Sequence, residues 1–236
     1  MKVIFWKRGT LFRNKKKIAA LFLCFSAAII FYVVLSGRSG SEDPQAASVI
    51  RAVQTDQKVY SLVAVLDGSE DTADLRLLIS VCRGLGIKPT VFTDPDALSL
   101  GAEDLKLLKE NACIGLNGAA LHALGYQRHL KLLTQKNDAI FQRLGQFPRF
   151  IRVEADAKEN LLSAAGASGQ YAVRESGALN GADSATISNG GIYSIGRIDE
   201  NCAYRVAEAV SAAAAGGLAC VSLEKLIFEY GGVSYG

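Results

Sequence analysis

The chain has 236 residues, half of them apolar, which suits one ordinary domain with a packed core and excludes general disorder. The net charge of +3 is unevenly placed: residues 1–41 carry eight basic side chains and no acidic one, so the 26 basic residues less these eight leave 18 against all 23 acidic residues in the remainder. A mildly acidic remainder excludes nucleic-acid binding by the folded part.

Residues 1–17 form a basic arm. Ile18 to Ser36 is a 19-residue run without a charge. As a helix rising about 1.5 Å per residue it spans roughly 28 Å, close to the ~30 Å hydrocarbon core of a bilayer. Seven Lys and Arg precede it and only Arg38 follows closely. The positive-inside rule then predicts a single-pass membrane anchor, with the N-terminus cytoplasmic and residues 37–236 outside the cytoplasm. The competing reading is a cleaved signal peptide, against which the run is long and lacks an A-x-A site. Residues 37–58 are mostly small and polar and read as a linker.

From residue 59 onward strand and helix patterns alternate. Val59–Leu66 is the first predicted strand. Thr72–Leu85 follows as a helix with Leu75, Leu78, Ile79 and Cys82 on one face. Pro89–Thr93 is the second strand, Glu103–Lys109 a short helix and Ala112–Leu116 the third strand. Arg128–Leu144 is a long helix with Leu132, Leu133, Ile140 and Leu144 inward, and His129 capping or flanking it. Arg149–Val153, Gln170–Arg174, Gly191–Ile195 and Leu218–Leu223 complete seven strands, with helices at Glu159–Ala165, Tyr204–Ala215 and Glu224–Tyr230. Seven βα repeats imply a parallel sheet with right-handed crossovers. The pattern alone leaves an incomplete (β/α)7 TIM-like barrel and an open doubly wound sheet as alternatives. Either way the working end lies at the C-terminal tips of the strands. Cys82, Cys113, Cys202 and Cys220 lack C-x-x-C zinc spacing and sit in apolar patterns, so buried free thiols are expected although the segment is predicted to be exported.

Several fragments share an order with a known domain. Leu66-Asp67-Gly68-Ser69 ends the first strand, Gly86-Ile87-Lys88-Pro89-Thr90-Val91-Phe92 leads into the second, and Cys113-Ile114-Gly115-Leu116-Asn117 forms the third. Pro148-Arg149-Phe150-Ile151-Arg152-Val153, Gly190-Gly191-Ile192-Tyr193-Ser194-Ile195-Gly196 and Gly217-Leu218-Ala219-Cys220-Val221-Ser222-Leu223 follow. In this order they resemble the polysaccharide-deacetylase, or NodB homology, domain over residues 59–230. The resemblance implies the incomplete (β/α)7 TIM-like barrel, preceded here by the transmembrane helix. It also implies a catalytic apparatus in which one Asp and two His hold a metal, often zinc, that polarises an N-acetyl carbonyl. A second Asp is the general base and a late His the general acid.

Carried onto this chain, the resemblance leaves a vestigial site. The base position is Leu66, and the metal Asp is kept as Asp67. The two metal His positions fall on Asn117 and Leu121, and the late His position on Gly196. Arg152 is kept without the Pro-Tyr that follows it in the family. An amide and a leucine are poor zinc donors, so no cofactor is expected unless the site has been rebuilt from Asp67, Asn117 and His122. Asp67, Glu70 and Asp71 could alternatively serve a hard cation, against the reading that Glu70 and Asp71 start a helix. Arg152 is expected to pair with Asp67. The resulting expectation is a catalytically inactive, membrane-anchored protein of the cell envelope that binds glycan or a partner protein. Its competitors are a metal-dependent carbohydrate de-N-acetylase with a rebuilt site, and an envelope assembly protein.

Overall fold

The computed structural model describes residues 48–121, 124–179, 187–196, 198–230 and 232–235. The arm and anchor expected at 1–36 lie outside the described residues. Among the described residues no helix is long and apolar enough to cross a membrane.

Among the described residues ten strands form one sheet: β1 (Ile50–Gln54), β2 (Val59–Leu66), β3 (Thr90–Thr93), β4 (Cys113–Asn117), β5 (Phe150–Arg152), β6 (Tyr171–Val173), β7 (Gly177–Ala178), β8 (Ile192–Ser194), β9 (Ala219–Val221) and β10 (Gly232–Tyr235). The helices are α1 (Thr72–Gly84), α2 (Ala102–Asn111), α3 (Tyr126–Leu144), α4 (Glu159–Ala167), α5 (Cys202–Ala215) and α6 (Leu223–Glu229), with a 3-10 turn at Pro95–Leu98. The strand order is β10-β1-β6-β5-β4-β3-β2-β8-β7. All pairs are parallel except β1 with β10. Only Arg174, Glu175 and Ser176 separate β6 from β7, and β7 pairs with β8 beside β2. The neighbours therefore lead from β2 through β3, β4, β5 and β6 back toward β2. The result is a curled half-barrel of parallel strands rather than a flat doubly wound sheet. β9 pairs with Val59–Ser61 and β3 with Val63–Leu66, the two halves of β2.

The two-residue period of β2 sorts the core. Tyr60, Leu62, Ala64 and Leu66 pack in one cluster with Leu75, Leu78 and Ile79 of α1 and Val206 and Ala209 of α5. Val59 and Val63 belong to a second cluster with Phe92, Phe150, Val173 and Ile192 from the other strands, closed by Ile50 and Val53 of β1 and Leu223, Leu226 and Ile227 of α6.

This second cluster corrects the linker boundary. Residues 50–54 were expected within the linker, yet they form β1, because Ile50 and Val53 bury against the inner faces of the barrel strands. The domain likewise extends beyond residue 230, since β10 pairs with β1 at Gly232–Tyr235. Asp71 caps α1 by accepting the Ala73 N–H at 2.8 Å, as the helix-start reading required. On α3 the inward stripe is His129, Leu133, Asn137, Ile140 and Leu144, while Leu132 is only half-buried. The four described cysteines are free; Cys82 and Cys202 are buried, Cys113 and Cys220 half-buried. Burial pushes the Cys82 and Cys220 thiols up to about 12, so they are inert as nucleophiles.

Candidate functional site

Strand register assembles the rim. Leu66 pairs with Thr93, Thr93 with Leu116, and Leu116 with Ile151. One residue further on, Asp67, Asp94, Asn117 and Arg152 lie in a row across the tips of β2, β3, β4 and β5. Asp67, Asn117 and Arg152 have the same parity as Val63, Gly115 and Phe150, so they belong to the barrel side of the sheet. Leu66 has the opposite parity and is 1% exposed in the helix-side core.

Each rim residue is held by hydrogen bonds or an ion pair. The Glu70 carboxylate accepts the N–H groups of Asp67 at 2.9 Å and Gly68 at 2.8 Å, while Asp67 Oδ1 accepts the Ser69 N–H at 2.9 Å. Glu70 thus ties the β2–α1 loop, and Asp71 caps α1, which favours the helix-start reading over a cation site. Asp94 is paired with Lys136 of α3. Asn117 Oδ1 accepts the Ala119 N–H at 3.3 Å. The next residue has to be glycine: Gly118 donates its N–H to the Arg152 carbonyl at 2.9 Å, and a Cβ there would sit 2.7 Å from that oxygen. Gly196, at φ +81°, turns the chain after β8.

Arg152 does not pair with Asp67 as expected. Its Nε donates to Glu175 at 2.5 Å and its Nη1 to Glu154 at 2.9 Å. Burial alone would lower the Arg152 pKa, but the two carboxylates outweigh it and raise it. Glu175 is the residue the sequence reading passed over. Its signal was present, since it directly follows the predicted strand Gln170–Arg174.

His129 is buried in the first turn of α3 rather than capping or flanking the helix. Its Nε2 accepts the Leu124 N–H at 3.2 Å, pinning the loop that carries Asn117 and Leu121. Burial lowers its pKa below the ordinary 6.5. The unfolded chain therefore takes up a proton near pH 6.5 while the folded chain resists, and stability falls as the pH drops through that value. Thermal melts should show a larger loss between pH 7 and pH 5 in the wild type than in His129→Phe; equal slopes would show that His129 contributes no such dependence.

A cleft of about 230 Å3 opens beside this loop, with Gly118, Ala119, Leu121 and His129 on one side and Glu154 to Lys158 on the other. No protein-family model matches the chain, and no curated protein sequence matches it. Solved structures do match. A family 4 carbohydrate esterase from Bacillus anthracis aligns at a TM-score of 0.66 and 19% identity, over 78% of this chain and 88% of that one. A pseudoenzyme of the same family, also from Bacillus anthracis, aligns at 0.66 and 12% identity, over 79% and 71%. The chitin deacetylase of the fungal pathogen Colletotrichum lindemuthianum aligns at 0.64 and 11% identity, over 80% and 96%.

The chain has the fold of the family 4 carbohydrate esterases.

On that carbohydrate-esterase fold, the zinc that the sequence resemblance implies can be tested against the residues present. Leu66 and Leu121 offer no donor, and Leu121 packs on the core. The Asn117 amide oxygen already accepts a backbone N–H, and Gly196 has no side chain. These residues do not fit a zinc ion, which takes His, Cys and carboxylate donors. Among the described residues no group of three His, Cys, Asp or Glu is gathered to hold a metal. His122, the alternative ligand, lies outside the described residues.

Proposed function

We propose that this protein is a membrane-tethered, non-catalytic relative of the polysaccharide deacetylases that binds envelope glycan at the strand-tip end of its barrel. One observation carries the reading. The fold is kept, while by the sequence resemblance Leu66, Leu121 and Gly196 take the positions of a base, a metal ligand and an acid. A base must take a proton and a ligand must donate a lone pair, and none of these three side chains does either. The Bacillus anthracis pseudoenzyme supports the reading, because a related fold exists there without activity. Peptidoglycan and chitin deacetylases share the fold, and an inherited groove for such polymers is the reason to propose a glycan ligand.

The tether is the uncharged run of residues 18–36 with its basic flank, placing the domain outside the cytoplasm in a single-pass arrangement. Completion of the curled sheet as a seven-unit TIM-like barrel belongs to the same reading.

Zinc titration of the full chain by calorimetry at neutral pH tests the loss of chemistry. The wild type should show no tight one-to-one binding, whereas the double variant Asn117→His, Leu121→His, which completes the family's ligand set with Asp67, should gain it. Tight binding by the wild type, lost in Asp67→Ala, would instead favour a rebuilt de-N-acetylase centre. Retention of the protein on sedimented cell-wall glycan tests the binding role, and its absence would end that part of the proposal.

A further inference from the structure

The end of the sheet opposite the strand tips collects apolar side chains that the core leaves outside. Leu85 is the C-cap of α1, Phe141 lies in the last turn of α3, Phe147 follows in the loop to β5, and all three are exposed. Tyr171 begins β6 and Phe228 lies on α6. These two are 40% and 43% exposed, and their rings meet edge to face at 5.2 Å beside the buried Phe150. Arg149, just ahead of β5, holds α6 against the strand starts: it pairs with Glu224 and lies over the Phe228 ring at 5.1 Å. Exposed apolar side chains gathered at one end mark a contact with a partner or a membrane.

The same end is basic. Lys58, Lys88 and Arg149 lie within two residues of the starts of β2, β3 and β5. Arg83, Lys109 and Arg143 occupy the last turns of α1, α2 and α3, and Lys225 is exposed on α6. Among the described residues the carboxylates there are Asp56, Glu110 with its partner Lys106, Glu224 paired with Arg149, and Glu229 paired with Lys225. Complementing the helix dipoles accounts for Arg83, Lys109 and Arg143, but not for Lys58, Lys88 or the rings. The strand-tip end has the opposite sign. In its β2–α1 and β5–α4 loops Asp67, Glu70, Asp71, Glu154 and Asp156 stand against Arg152 and Lys158.

We propose that the aromatic, basic end docks on the surface of an anionic bilayer, with Tyr171 and Phe228 entering the headgroup layer and Lys88, Arg149 and Lys225 meeting lipid phosphates. The inference rests on the membrane-anchor reading and goes beyond it. Aromatic rings favour the boundary between water and hydrocarbon, and Lys and Arg lay their stems on apolar surface while their heads reach phosphate. Residues 37–47 span at most about 40 Å when fully extended, so an anchored domain always has a bilayer within reach. The anionic surface that attracts the basic end repels the acidic one, which selects a single orientation with the strand tips turned away from the lipid.

The test uses the full chain reconstituted in vesicles of phosphatidylglycerol and phosphatidylcholine in equal parts, with and without brominated acyl chains, which quench tryptophan only at close range. Trp6, the only tryptophan, is removed by Trp6→Phe. A reporter is then introduced by Phe228→Trp or Tyr171→Trp on the docking end, or by Tyr204→Trp in the first turn of α5 at the opposite end. At least twofold quenching at position 228 or 171, with none at 204, and its loss when Lys88→Glu and Lys225→Glu are added, supports docking. If one docking-end variant fails to fold, the other decides. No quenching at 228 and 171 overturns docking and leaves the rings to a protein partner. Equal quenching at all three positions, or quenching indifferent to the charge reversals, overturns it too. Alkaline extraction of the same vesicles reads the anchor separately. Protein that resists extraction but is not quenched overturns docking alone, whereas protein released by alkali overturns the anchor reading, and docking then stands or falls on the quenching.

Discussion

Arg152→Met is expected to destabilise the domain by about 3 kcal/mol, read as a lower denaturant midpoint. The guanidinium holds two carboxylates, and its side chain is 18% exposed against 14% for Glu175. Removing one member of a buried ion pair typically costs about 3–5 kcal/mol, because the surviving charge stays out of water without its partner. Residual exposure places this pair at the lower end of that range. Methionine keeps the aliphatic volume, so the loss reports the charge rather than a cavity. Adding Glu175→Gln to Arg152→Met should recover part of the stability by neutralising the stranded carboxylate, and a double variant no better than the single would contradict this account. The pair joins the tip of β5 to the segment between β6 and β7. Its loss should therefore also speed hydrogen exchange at Arg174–Gly177 before the rest of the sheet opens.

Gly190→Ala should cost at least about 3 kcal/mol, far more than the same change at Gly86. Both glycines lie at positive φ, +70° and +68°, where an L side chain costs roughly 1–2 kcal/mol. Their surroundings differ. A Cβ at Gly86 meets nothing within 4 Å, whereas at Gly190 it would lie 1.8 Å from the Val53 carbonyl oxygen and 2.9 Å from its carbon. Neither atom can swing aside as a side chain does. The Gly190 carbonyl also accepts the Val53 N–H at 2.8 Å, and the Gly190 N–H donates to the Val59 carbonyl at 2.7 Å. Relief of the clash would push β1 away and open the cluster that Ile50 and Val53 help to close. Thermal melts of the two variants decide the point: equal shifts would mean that β1 gives way without cost.

These two contacts mark where sequence pattern loses its reach. The apolar run Val59–Leu66 and the helical stripe Leu75, Leu78, Ile79 and Cys82 were legible because strand and helix patterns are local and burial follows them. The Asp71 cap was legible for a similar reason, since it acts within a few residues of itself. The vestigial positions Leu66, Asp67, Asn117, Leu121, Arg152 and Gly196 could be named from the order of short motifs.

Partners distant in the chain could not be read in this way. Ile50–Gln54 has too few apolar residues to stand out from a linker, and becomes a strand only against β10 and the inner faces of β5, β6 and β8. His129 was expected to cap or flank the long helix, but with Asn137 it lies on the buried stripe of α3, where the fold provides Leu124 and Gln170 as hydrogen-bonding partners. Asp67 and Glu175 were equally plausible partners for Arg152 by charge, and only the curl of the sheet from β5 to β7 decided between them. The sequence by itself determined the seven predicted strands, the helices between them and the apolar run proposed as an anchor, because those depend on residue type and local spacing. The tertiary structure decided the ion pairs, the β1 strap and the His129 cleft, because each depends on which distant segments share one small volume.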